Sequence, residues 1–203
     1  MPAQPKALAK RLPPGDMMEA VVVKVGERKF HDEYSGSASV TCTAPPEVVY
    51  DILADLRTHV VWGGQTNRMH QRLLTIDAPD EEPATVGTTF QSVGYTSHGL
   101  WHDRSRVTQA TSPSVFEFAT NGTMQSRPPF HGTWVHRYEI EPDAAGSTIT
   151  YRCRWQLTKS VGDRPRLRRS VFCKLVLPTI WETGLRGLAD MAEAKWNGSG
   201  SEV

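Results

Sequence analysis

Four residues with titratable or hydrogen-bonding tips, Asp103, His136, Tyr138 and Tyr151, fall in segments rich in aromatic rings: LWHDRSRV, GTWVHRYEI and TITYRCRWQL. A carboxyl or imidazole among rings is suited to proton transfer in a dry site, and a phenol there can hold a carbonyl oxygen. Other chemistry is poorly represented. His98 and His102 have H-x-x-x-H spacing, which serves a metal only on a helix, and the segment SHGLWH contains a turn glycine and precedes a strand pattern. Cys153 has no neighbouring base to activate it. Gly-rich phosphate loops, serine nucleophile elbows and dinucleotide fingerprints are missing, so the sequence implies neither metal nor cofactor.

Whether the four polar groups meet depends on alternation, because successive residues of a strand face opposite sides. In the strand read over GTWVHRYEIEP the apolar-rich set is Trp134, His136, Tyr138 and Ile140, which leaves Val135, Arg137 and Glu139 outward. The next strand turns Ile149, Tyr151, Cys153, Trp155 and Leu157 inward and Arg152, Arg154 and Gln156 outward. The same counting puts Trp101, Asp103, Ser105 and Val107 inside against His102, Arg104 and Arg106, and adds Phe116 and Phe118 from the following strand. An inward Asp103 is costly unless partnered, so it carries the most information of the set. For the segments near 69–77 and 88–96 the alternation leaves the inward face open.

These strands need elements around them. SGSASVTCTA alternates Ala38, Val40 and Cys42 with serine and threonine and reads as the first strand. Pro45 and Pro46 then open a short helix, where a missing amide hydrogen costs nothing and the fixed φ is suitable. Val48, Val49, Ile52, Leu53 and Leu56 form its apolar stripe. Val60 to Trp62 continue into a second short helix that Gly63 and Gly64 end. Six further strands joined by short turns follow between about residues 68 and 157, the mark of an antiparallel meander. A terminal helix closes the pattern with Val171, Leu175, Trp181, Leu185, Leu188 and Ala192 on one face, and Pro178 kinks it or marks its start.

The bulk numbers bound the rest. With 203 residues, 38% of them hydrophobic, the chain supports one core. We assign a mobile arm to residues 1–18, one domain to 19–196 and a disordered tail to 197–203. Twenty-three basic and 22 acidic residues leave a net charge of +1, so no global field draws the chain to nucleic acid or to an anionic membrane. The basic cluster Arg164, Arg166, Arg168 and Arg169 reads as a solvated loop. No apolar run of membrane-spanning or signal-peptide length and no paired cysteines occur, which points to a cytoplasmic protein, a monomer or a homodimer, without stable membrane insertion.

VTCTAPPEVVYDILADLRTHVVW, VGTTFQSV, RVTQATSPSVFEFAT and WVHRYEIEPDAAGSTITYRCRW resemble the strands and helices of the START-like superfamily, which includes polyketide cyclases, Bet v 1-type allergens and lipid-transfer domains. The resemblance covers roughly residues 35–195. It implies an α+β helix-grip fold: a curved antiparallel sheet of about seven strands around a long C-terminal helix, with two short helices after strand 1. It implies either of two activities. One is binding or transport of a hydrophobic or polycyclic small molecule, a lipid or polyketide-like compound, against Trp101, Phe116, Phe118, Trp134, Tyr138, Tyr151, Cys153, Trp155 and Leu185. The other is a polyketide aromatase or cyclase, with Asp103 or His136 as acid or base and Tyr138 and Tyr151 holding carbonyl oxygens. A third reading, in which the arginine loop and the outer sheet face recognise a macromolecule, stands beside them.

Overall fold

A computed structural model of the chain describes residues 33–63, 72–80, 83–96, 99–125, 130–157 and 177–199. The chain divides after Phe30, and every described residue belongs to the second unit, His31–Val203. The arm at 1–18, the Arg164–Arg169 cluster, Val171 and Leu175 lie outside the described residues.

Seven strands form one antiparallel sheet: β1 (Glu33–Cys42), β2 (Arg72–Asp77), β3 (Thr89–Thr96), β4 (Gly99–Thr111), β5 (Val115–Met124), β6 (Phe130–Asp143) and β7 (Gly146–Leu157). Their order is β1-β7-β6-β5-β4-β3-β2, so six strands run as a meander and β1 returns beside the last. Turn chemistry closes the β6–β7 hairpin. Asp143 accepts the Ala145 amide at 2.8 Å and the Thr148 hydroxyl at 3.0 Å, while Gly146 takes φ 152°, which only glycine adopts readily.

Helix α1 (Pro46–Ala54) starts on its prolines and stops at Asp55, whose backbone is extended. The Asp55 carboxylate accepts the Arg57 amide at 3.1 Å and so begins a 3-10 turn, Leu56–Thr58, that leads into α2 (His59–Trp62). The Thr58 hydroxyl ties this corner together by donating to the carbonyls of Ile52 at 2.7 Å and Asp55 at 2.8 Å. Val49, Leu53 and Ala54 are buried on the inward face of α1, and Tyr50 meets Phe116 of β5 edge-on at 6.1 Å. The helix pair thus plugs one end of the sheet.

The terminal helix α3 (Leu177–Ser199) has Pro178 in its first turn, where proline is tolerated. It continues through 197–199, residues the sequence assigns to the tail. Trp181, Leu185, Leu188 and Ala192 do share its inward face, with Leu185, Leu188 and Ala192 fully buried. Two contacts set its position: Glu193 accepts the Thr43 amide at 2.7 Å, and the bare backbone of Gly187 crosses Trp62 of α2. The helix-grip fold is therefore present.

Candidate functional site on the concave face

Strand register sorts the inward residues into cross-strand rows. Phe90, Ser105, Thr120, Trp134 and Trp155 make one row, and Val107, Phe118, His136 and Cys153 the next. Ala110, Phe116, Tyr138, Tyr151 and Ala38 follow, and Ile140, Ile149 and Val40 close the plugged end. The inward sets expected from β4 to β7 are those observed; the Leu157 side chain lies outside the described residues. On the opposite face Arg137 joins Glu117 at 3.2 Å and Glu139 at 2.8 Å, and Arg152 joins Glu139 at 2.7 Å.

The two segments whose inward face was open resolve differently. In β3, Phe90, Ser92 and Gly94 point in. In β2 the pairing slips between Leu73 and Thr75, so Leu73 and Ile76 are covered while Leu74 is exposed. A bulge of this kind breaks period-two alternation, which is why no single parity fitted.

Rings line the middle of the concave face. Phe118 stacks on His136 with centroids 4.6 Å apart, and Tyr138 lies 4.9 Å from Tyr151. Trp181 of α3 meets Tyr151 at 5.3 Å and Trp155 at 5.8 Å, both edge-on. From the other side α2 brings His59, 4.6 Å from Trp62, and Trp62 meets Tyr138 at 6.0 Å. His59 and Trp62 were not singled out from the sequence, because helical apolar spacing marks them only as packing residues. Phe116, Cys153 and Leu185 have almost no accessible surface.

Polar atoms interrupt this wall at few places. His136 Nδ1 is 2.7 Å from the Tyr151 hydroxyl. His59 Nε2 donates to the Leu53 carbonyl at 2.8 Å, and Ser105 and Thr120 share a hydrogen bond of 2.8 Å. Among the described residues no buried side-chain nitrogen or oxygen lacks a partner. Among the described residues neither His136 Nε2 nor the Tyr138 hydroxyl has a partner, so both atoms keep some accessible surface.

Enclosure sets the protonation of these groups. Burial, aided by neighbouring His59, lowers His136 to about 4, and burial lowers His59 to about 4 against the pull of its Leu53 hydrogen bond. Burial raises both tyrosines, Tyr151 well above its ordinary value, and pushes the Cys153 thiol up to about 12. At neutral pH this part of the face is uncharged: two neutral imidazoles, two phenols and an inert thiol.

Asp103 differs. It is half-buried on β4, and burial raises its carboxyl to about 7 while a hydrogen bond from Trp101 pulls it down. Register separates it from His136 by two rows and two strands, roughly 15 Å along the sheet, so the two expected acid–base residues do not converge on one atom. Three glycines not named from the sequence lie at this end of the face: Gly122 against Asp103 and Trp134, Gly94 under Trp101, and Gly132 under Trp134.

Among curated proteins no sequence matches the chain. A protein from Rhizobium leguminosarum is similar in structure with a TM-score of 0.58 at 12% identity, over 80% of this chain and 96% of that one. Protein MLL2253 from Mesorhizobium loti gives 0.51 at 17% identity, over 79% and 97%. Ara h 8.0201 gives 0.53 at 8% identity, over 80% and 99%. At these identities the likeness concerns the fold alone. Residues 34–193 also match the sequence model of a family described as polyketide cyclase / dehydrase and lipid transport, so the chain, with its seven-stranded sheet closed on a terminal helix, belongs to that family.

Proposed function

We propose that this protein holds a flat, hydrophobic small molecule between the concave sheet face and α3. The observation that carries the reading is the pair of polar atoms without partners among the described residues, His136 Nε2 and the Tyr138 hydroxyl, on a wall otherwise made of rings. A mostly apolar space with a few placed donors suits a ligand that buries its rings and presents one or two oxygens. The raised phenol keeps its proton, so Tyr138 donates to a ligand carbonyl throughout the neutral range. The family description, which spans cyclisation, dehydration and lipid transport, agrees with a hydrophobic guest.

The test is a fluorescence titration with the neutral probe N-phenyl-1-naphthylamine. Saturable binding that falls severalfold in a Trp155→Ala variant is the expected result. A probe that stays dark in the wild-type protein would remove the reading.

A second reading, cyclisation of a reactive chain, is favoured by one group. A carboxyl that titrates near 7 can accept and return a proton at working pH, as aldol closure and dehydration require. In this reading Asp103 is the acid–base group; His136, neutral and hydrogen-bonded to Tyr151, positions the chain. Turnover of a poly-β-ketone thioester that survives unchanged in Asp103→Asn would exclude that assignment.

A further inference from the structure

The end of the concave face away from α1 is built around missing side chains. A Cβ on Gly94 would lie 1.9 Å from the Trp101 ring, and one on Gly132 would lie 2.6 Å from the Trp134 ring. At Gly122 it would meet Asp103 Oδ1 at 2.2 Å and the Trp134 ring at 2.8 Å. Gly122 and Gly132 are directly paired, so the Trp134 indole lies across two neighbouring strands, over bare backbone. Trp101 covers its own cross-strand partner, Gly94, in the same way. Two indoles are thereby laid along the sheet, and the Asp103 carboxyl, flanked across the strands by Ser92 and Gly122, stands beside both.

Among the described residues no positively charged group perturbs this carboxyl. The basic residues of β4, Arg104 and Arg106, are on the exposed face. An inward carboxylate without a cation is unfavourable, whereas indole faces and a carboxylate together attract an ammonium group. We propose that Trp101, Asp103 and Trp134 form a subsite for the protonated amine of an aromatic or otherwise apolar ligand. The inference rests on the proposed reading of the concave face as a ligand site and adds the ligand's chemical class. The ammonium group lies against Asp103, the attached ring lies on the indoles, and the remainder of the guest extends toward Tyr138 and His136. Binding draws the carboxyl into its charged form, so a proton is released as the amine enters near neutral pH.

Calorimetry at pH 8 with 1-naphthylmethylamine and its neutral counterpart 1-naphthylmethanol tests this. We expect the amine to bind about tenfold or more tightly than the alcohol. Asp103→Asn should erase that preference, so that amine and alcohol bind the variant with Kd values within about twofold of each other. Titration near pH 7 in two buffers of different ionisation enthalpy should reveal proton release in the wild type and none in the variant. Equal affinities in the wild type, or a preference that persists in Asp103→Asn, overturn the subsite. If N-phenyl-1-naphthylamine and the alcohol still bind, only the amine subsite falls. If neither binds, the concave-face reading falls with it.

Discussion

The same dry surroundings move Asp103 and His136 in opposite directions, since burial disfavours whichever form is charged. For Asp103 the folded value, about 7, lies above the ordinary 3.8. Its neutral form is thus favoured by the fold; the associated stability is complete below about pH 4 and is lost as pH rises through 7. Asp103→Asn, which cannot ionise, should raise stability at pH 8 by about 1–3 kcal/mol and change it little at pH 4.5. Urea unfolding at the two pH values checks this. For the histidines the folded value is depressed, from 6.5 to about 4. Their stability is present above 6.5 and disappears as pH falls towards 4. His136→Phe keeps the ring stack on Phe118 but cannot take up a proton, so its stability profile between pH 6.5 and 4 should be flatter than the wild type's by about 1–3 kcal/mol. An equally steep profile would show that His136 is not held neutral by the fold.

At the scale of elements, two glycines of α3 make a matched pair. Gly184 has no atom within 4 Å of where a Cβ would stand, whereas a Cβ on Gly187 would come within 3.0 Å of the Trp62 carbonyl oxygen. Gly184→Ala should therefore add about 1 kcal/mol through helix propensity. Gly187→Val should cost about 1–3 kcal/mol by lifting the helix from α2. Denaturation midpoints of the two variants give the comparison, and similar effects of one sign would contradict the crossing at Trp62. The strands were legible because Trp134-x-His136-x-Tyr138-x-Ile140 and Ile149-x-Tyr151-x-Cys153-x-Trp155 alternate without a fault. The β2 segment was legible as a strand but its inward face was not, since the slip at Leu73/Thr75 moves that face midway. Proximity across strands was equally hidden: that Gly122 makes room for Asp103 and Trp134 depends on a register that no local pattern encodes. His59 stayed unread because its partner, the Leu53 carbonyl, becomes available only where α1 breaks at Asp55.

The whole molecule responds to occupancy of the concave face. A guest that binds the folded chain alone stabilises it by about 2.7 kcal/mol at a free concentration of 100 times Kd. The melting temperature should therefore rise with the concentration of N-phenyl-1-naphthylamine, and the rise should shrink in Trp155→Ala, as differential scanning fluorimetry with an independent dye or calorimetry would record. A melting temperature indifferent to a saturating probe would mean that the probe does not select the native state. No described helix is long and apolar enough to cross a membrane.

Strand β1 pairs with β7 from Glu33 opposite Gln156 to Cys42 opposite Ser147. Its hydrogen-bonding neighbour is thus synthesised more than a hundred residues later. A chain emerging from the ribosome carries β1 and the two short helices for many seconds before anything exists to receive them. This joint spans the greatest sequence separation within the sheet, which slows folding and leaves the early edge open to association with other nascent chains until translation has passed β7.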